Sequence, residues 1–76
     1  MIMQKKPACY DVVAVLQDVQ DQGVKAGWVG TVVDVLDEDL FLVEFADARG
    51  RTLLLPTLSG NTLLVLDALH AELTPV

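Results

Sequence analysis

A chain of 76 residues has room for one domain, and one so short buries only about 60–65% of the surface its unfolded form exposes. At 53% hydrophobic residues and a mean hydropathy of +0.47, it carries more apolar material than a thin core can hide, which calls for a partner or another copy of the chain. A net charge of −6, with five basic residues scattered among eleven acidic ones, excludes the phosphate-neutralising surface on which nucleic-acid binders depend and mainly keeps an apolar protein in solution.

Membrane association is not expected. A spanning helix needs roughly 20 consecutive apolar residues, and the runs here stop at Val12 to Leu16, Leu40 to Val43, Leu53 to Leu55 and Leu63 to Leu66. The stretch Met1 to Pro7 reaches its lysines too early for a signal peptide, so the expected location is the cytoplasm. Cys9, the single cysteine, cannot close an internal disulfide and suits a reducing compartment.

In chain order, residues 1–9 read as a lead-in that Pro7 keeps irregular. A first strand is expected over about Tyr10 to Gln17, with Val12, Ala14 and Leu16 on one side and Val13 and Val15 on the other. Both sides are apolar, which a strand half open to water does not show. Asp18 to Gly27 reads as a long polar loop. Gly27 and Gly30 lead into a second strand, Trp28 to Leu36, whose Thr31, Val32, Val33 and Val35 favour extended backbone. Gly27 is expected at a sharp turn, and Gly30 where another strand passes close. Asp37-Glu38-Asp39 is a solvated acidic turn.

The third strand, Leu40 to Phe45, places Phe41, Val43 and Phe45 on one face, the best core candidates. Asp47 to Arg51 forms a hairpin turn with Gly50 at positive φ. Thr52 to Thr57 is a fourth strand, with Pro56 near its end, and Thr62 to Leu66 a fifth. Residues 67–76 form a short tail; Asp67 can cap a helix that carries Leu69 and Leu73 on one side. The domain thus spans 10–66. Five short strands with a long first loop predict an all-β, five-stranded SH3-like barrel.

The segments Asp11-Val12-Val13-Ala14, Lys25-Ala26-Gly27-Trp28-Val29-Gly30-Thr31-Val32-Val33, Val43-Glu44-Phe45, Gly50-Arg51-Thr52 and Leu63-Leu64-Val65-Leu66 resemble, in order and spacing, a family of small bacterial proteins of unknown function. The resemblance covers about residues 10 to 66. It implies an SH3-like barrel and no activity. It also implies genes that sit beside those of other short proteins, some in toxin–antitoxin-like settings. The central segment is similar to the glycine-valine core of KOW-type barrels, many of which bind RNA; the acidity of this chain departs from them. Trp28 departs from the family pattern, which has a polar residue there.

No residue pattern here supplies catalysis, a cofactor site or a metal site. Three adjacent carboxylates lack the spaced oxygen ligands calcium needs. Arg49 and Arg51 flank Gly50, but Asp47 beside them offers a simple ion-pair partner. Cys9 needs a nearby base to act as a nucleophile, and His70 is distant in sequence; Tyr10 and His70 read as fillers of the barrel ends. The two-faced strands are the stronger signal, because contiguous exposed apolar surface marks interaction sites. Val13, Trp28, Leu42, Leu53, Leu55, Leu69 and Leu73 are the expected interface residues, and Gly27, Gly30 and Gly50 the structural glycines. The expected function is a non-enzymatic protein–protein interaction module, self-associating as a homo-oligomer. The alternative is an acidic antitoxin-like or regulatory subunit that masks a co-encoded basic protein.

Overall fold

The computed structural model describes residues 6–66. Six strands run in the order β1 (Val12–Val15), β2 (Val29–Asp37), β3 (Leu40–Ala46), β4 (Thr52–Leu54), β5 (Thr57–Ser59) and β6 (Leu63–Val65). They form one antiparallel sheet in the order β4-β3-β2-β1-β6, with β5 also paired to β3. The all-β reading holds, with six strands where five were expected. The fourth expected strand is divided: β4 and β5 lie along the same edge of β3, the first opposite Phe45 and Ala46, the second opposite Leu40 to Leu42. Pro56 sits between them. It has no N–H to give a ladder, but its carbonyl accepts from the Val43 N–H at 3.0 Å.

Strand alternation sorts the side chains. Val13 and Val15 of β1, Val32 of β2, Phe41, Val43 and Phe45 of β3, Leu58 of β5, and Leu63 and Val65 of β6 are buried in one core, together with Val24. Phe41, Val43 and Phe45 fall where the period of two puts them. Val13 does not lie at an interface. It is fully buried, opposite Gly30 and Val65 in the two ladders that flank β1. The first strand has its core on the Val13/Val15 side, and Val12, Ala14 and Leu16 face away.

The sheet curls. β5 and β6 belong to opposite margins yet are joined by Gly60–Thr62, one 3₁₀ turn. Four Cα steps reach about 14 Å at most, whereas a flat sheet would set those margins roughly 19 Å apart. Gly60 makes the turn possible. A Cβ there would meet Asp39 Oδ1 at 2.6 Å and Phe41 Cε2 at 2.9 Å. The Asp39 carboxylate, expected to be merely solvated, accepts from Ser59 Oγ at 3.1 Å and from the Gly60 N–H at 3.2 Å, and so stitches the acidic turn to this crossing.

The long loop is not loose. Gln20–Gln22 form a 3₁₀ turn, Val19 and Val24 bridge each other, and Val24 plugs the core. The Asp18 carboxylate accepts from the Ala26 N–H at 2.8 Å. Within the lead-in, Pro7 is buried. Tyr10 does not fill a barrel end: it is 77% exposed, at φ 69° in a turn where the Asp11 N–H donates to the Ala8 carbonyl. The expected helix with Leu69 and Leu73 lies outside the described residues, as does His70.

Candidate functional site

The site grows out of the junction between the long loop and β2. Gly27 takes φ +89° with nothing within 4 Å of where a Cβ would sit, so its role is conformational and no neighbour crowds it. Its N–H donates to the Val15 carbonyl at 2.8 Å, and the Val15 N–H donates to the Trp28 carbonyl at 2.8 Å. These two bonds pin the backbone on both sides of Trp28 to β1.

Gly30 sets what Trp28 packs against. A Cβ at Gly30 would lie 2.7 Å from the Glu44 carbonyl and 2.8 Å from Phe45 Cε1. The missing side chain leaves room for the Phe45 ring, whose Cε1 and Cδ1 take the space a Cβ would need, an aromatic covering a strand glycine. Trp28 then meets Phe45 edge to face, with centroids 5.6 Å apart and planes at 64°, a favoured aromatic geometry. Trp28 is thus half packed and still 37% exposed.

Next to it opens an apolar groove of about 390 Å³, lined by Trp28, Val29, Phe45, Ala46, Leu53 and Leu54. Val29 is 55% and Leu53 64% exposed. Val29 is out of phase with inward Gly30 and Val32, and Ala46 with inward Phe45, so strand alternation turns both away from the core. Leu53 sits at a register shift between β3 and β4, where Ala46 pairs with Thr52 and Phe45 with Leu54. The extra residue of such a bulge leaves the regular ladder. Close by, the Thr52 hydroxyl donates to the Glu44 carboxylate.

The β3–β4 turn at the groove's end is held by one carboxylate. Asp47 accepts from the backbone N–H groups of Arg49 and Arg51, both at 2.9 Å, and from Arg51 Nε at 3.0 Å. Its acidity is raised, chiefly by the Arg51 N–H; loss of hydration opposes this, and the Arg49 N–H and the Arg51 guanidinium add to it. Gly50 closes the turn at φ +82°.

Of the expected interface residues, the fold brings Trp28 and Leu53 to one groove. Leu55 is half exposed outside it, Leu42 is half buried on the outer face of β3, Val13 is in the core, and Leu69 and Leu73 lie outside the described residues. Val29 and Ala46 were missed, although the alternation that places Phe45 inward was enough to find them. Among the described residues no three His, Cys, Asp or Glu side chains are grouped to hold a metal ion, and no helix is long and apolar enough to cross a membrane.

Fold and groove together define a small all-β protein, one curled antiparallel sheet with an apolar groove at its margin. The chain belongs to a family described as a domain of unknown function, DUF4926, whose model matches residues 9–65. No curated protein and no solved structure matches it.

Proposed function

We propose that this protein is a non-enzymatic protein–protein interaction module that self-associates through the Trp28–Leu53 groove. The observation that carries the reading is the groove itself. Two large apolar side chains, Trp28 and Leu53, stand exposed around a cavity with apolar walls on a chain of net charge −6. Aromatic anchors beside a desolvated pocket are what interface hot spots are made of. The frame we propose is an SH3-like barrel related in shape to KOW domains, supported by the strand order and the three-residue crossing between β5 and β6. A cytoplasmic location belongs to the same reading and is supported by the exposed free thiol of Cys9.

The test is sedimentation velocity over micromolar concentrations. The wild-type chain should sediment as an oligomer. Leu53→Ser, which removes an exposed side chain and leaves the core alone, should weaken association about tenfold or more. Trp28→Ala should do the same, with some loss of stability from its contact with Phe45. A wild-type chain that stays monomeric, or an oligomer untouched by Leu53→Ser, overturns the reading.

A further inference from the structure

The face of the sheet turned away from the core is apolar across β6, β1 and the start of β2. Its residues alternate with buried ones: Val12 and Ala14 with Val13 and Val15, Leu64 between Leu63 and Val65, and Val29 before Gly30. The ladders set them side by side. Ala14 pairs with Leu64 on one flank and with Val29 on the other, and residues directly opposite in antiparallel strands share a face. Leu64, Ala14 and Val29 therefore form one row across three strands. Val12, two residues from Ala14, belongs to the next row, in which it pairs with Thr31 and Thr31 with Glu44. Glu44 bounds the apolar surface on that side. Val12, Ala14 and Leu64 are half-buried, and Val29 is exposed.

The chain itself carries a segment of matching dimensions. β6 ends at Val65, and Leu66 has helical backbone and is half-buried. The sequence continues Asp67-Ala68-Leu69-His70-Ala71-Glu72-Leu73, in which Leu66, Leu69 and Leu73 have the i, i+3, i+7 spacing of one helical stripe. From Leu66 to Leu73 a helix would rise about 10 Å, which is the distance from β6 across β1 to β2 at roughly 4.8 Å per strand. A helix about 10 Å wide also spans both rows, which stand about 7 Å apart along the strands. A second copy of the chain is the weaker occupant, because a segment joined directly to β6 meets the face at an effective concentration in the millimolar range.

We propose that this outer face is the docking surface for residues 67–73 of the same chain. The segment would lie across β1 as a helix, its Leu69 and Leu73 on the Leu64–Ala14–Val29 row and its Asp67 and Glu72 toward solvent. It shields apolar surface that the core cannot take. Its reach ends at β2, so Leu53, two strands further on, stays open. The proposal does not rest on the groove as a self-association site, and either can fail alone.

The experiment places a nitroxide on the full chain through Cys9→Ser with Ala71→Cys, a position off the leucine stripe, and reads backbone amide signals by NMR. The signals of Ala14 and Val29 should be lost to broadening, while that of Glu38, at the far end of the β2–β3 hairpin, should persist. Adding Leu69→Ser with Leu73→Ser should restore the Val29 signal, and Ala14→Glu, in the middle of the row, should restore it as well. Ala68→Ser, off the stripe, should leave the loss unchanged. Nitroxide-bearing chain mixed with isotopically enriched chain that lacks the nitroxide should show no loss at Val29. A Val29 signal that persists in the labelled chain, an equal loss in the mixture, which would mean a second copy, or a loss indifferent to both the leucine and the Ala14 substitutions overturns the proposal.

Discussion

Glycines at positions 27 and 30 look alike in sequence and do different work. Gly30 is a matter of space: a methyl group would press on the Glu44 carbonyl and the Phe45 ring. Gly30→Ala should therefore cost about 1–3 kcal/mol through overpacking. Gly27 is a matter of backbone conformation alone, at φ +89° in open space, so Gly27→Ala should cost only about 1–2 kcal/mol. Denaturant melts of the two variants check this, and Gly30→Ala should also change the fluorescence of Trp28, which leans on Phe45. Tyr10 is the converse case. It occupies the left-handed region at φ 69° with its ring in solvent, a position costly for a bulky residue. Tyr10→Asn should raise stability by about 0.5–1 kcal/mol; a fall in the melting midpoint would mean that the ring has a packing partner.

At the scale of elements, the Asp47 turn responds to pH. Its carboxyl titrates below the ordinary aspartate value of about 3.9, for the causes given above. A group whose folded value is lowered contributes stability that is complete above its unfolded value and is lost as pH falls through the folded one. The amide signals of Arg49 and Arg51 should accordingly move together on acidification, with a midpoint below that of an unstructured aspartate. Asp47→Asn should abolish the shared transition. Separate midpoints for the two amides would sink the assignment. The β2–β3 arm shows another property of elements. Its acidic turn looked uniformly solvated in sequence because three adjacent carboxylates repel one another. The fold instead uses Asp39 against Ser59 and Gly60, while Asp37 Oδ1 accepts from the Glu38 N–H.

For the whole molecule, surplus apolar content is the organising fact. The core takes Val13, Val15, Val24, Val32, Phe41, Val43, Phe45, Leu58, Leu63 and Val65; Trp28, Val29 and Leu53 stay exposed around one groove, and Leu16 and Leu55 are exposed outside it. The groove at Trp28 is bounded by apolar walls. Lowering ionic strength should strengthen self-association through it little, if at all. Sedimentation at two salt concentrations checks this.

All-β architecture, the Phe41-Val43-Phe45 face and the hairpin turns at Asp37–Asp39 and Asp47–Arg51 were legible in the sequence. They rest on local rules: side-chain period two, β-branched propensity and the backbone freedom of glycine. Which side of β1 faces inward was not legible, since Val12, Ala14 and Leu16 are as apolar as Val13 and Val15, and only the ladders to Gly30 and Val65 decide between them. The break at Pro56 and the bulge that turns Leu53 outward depend on how β3 is shared between β4 and β5. Sequence alone determined that this protein has more apolar surface than it can bury, because that is a sum over residues. The tertiary structure decided where the surplus lies and what rims it, because exposure depends on which strands meet, in which register, around one small core.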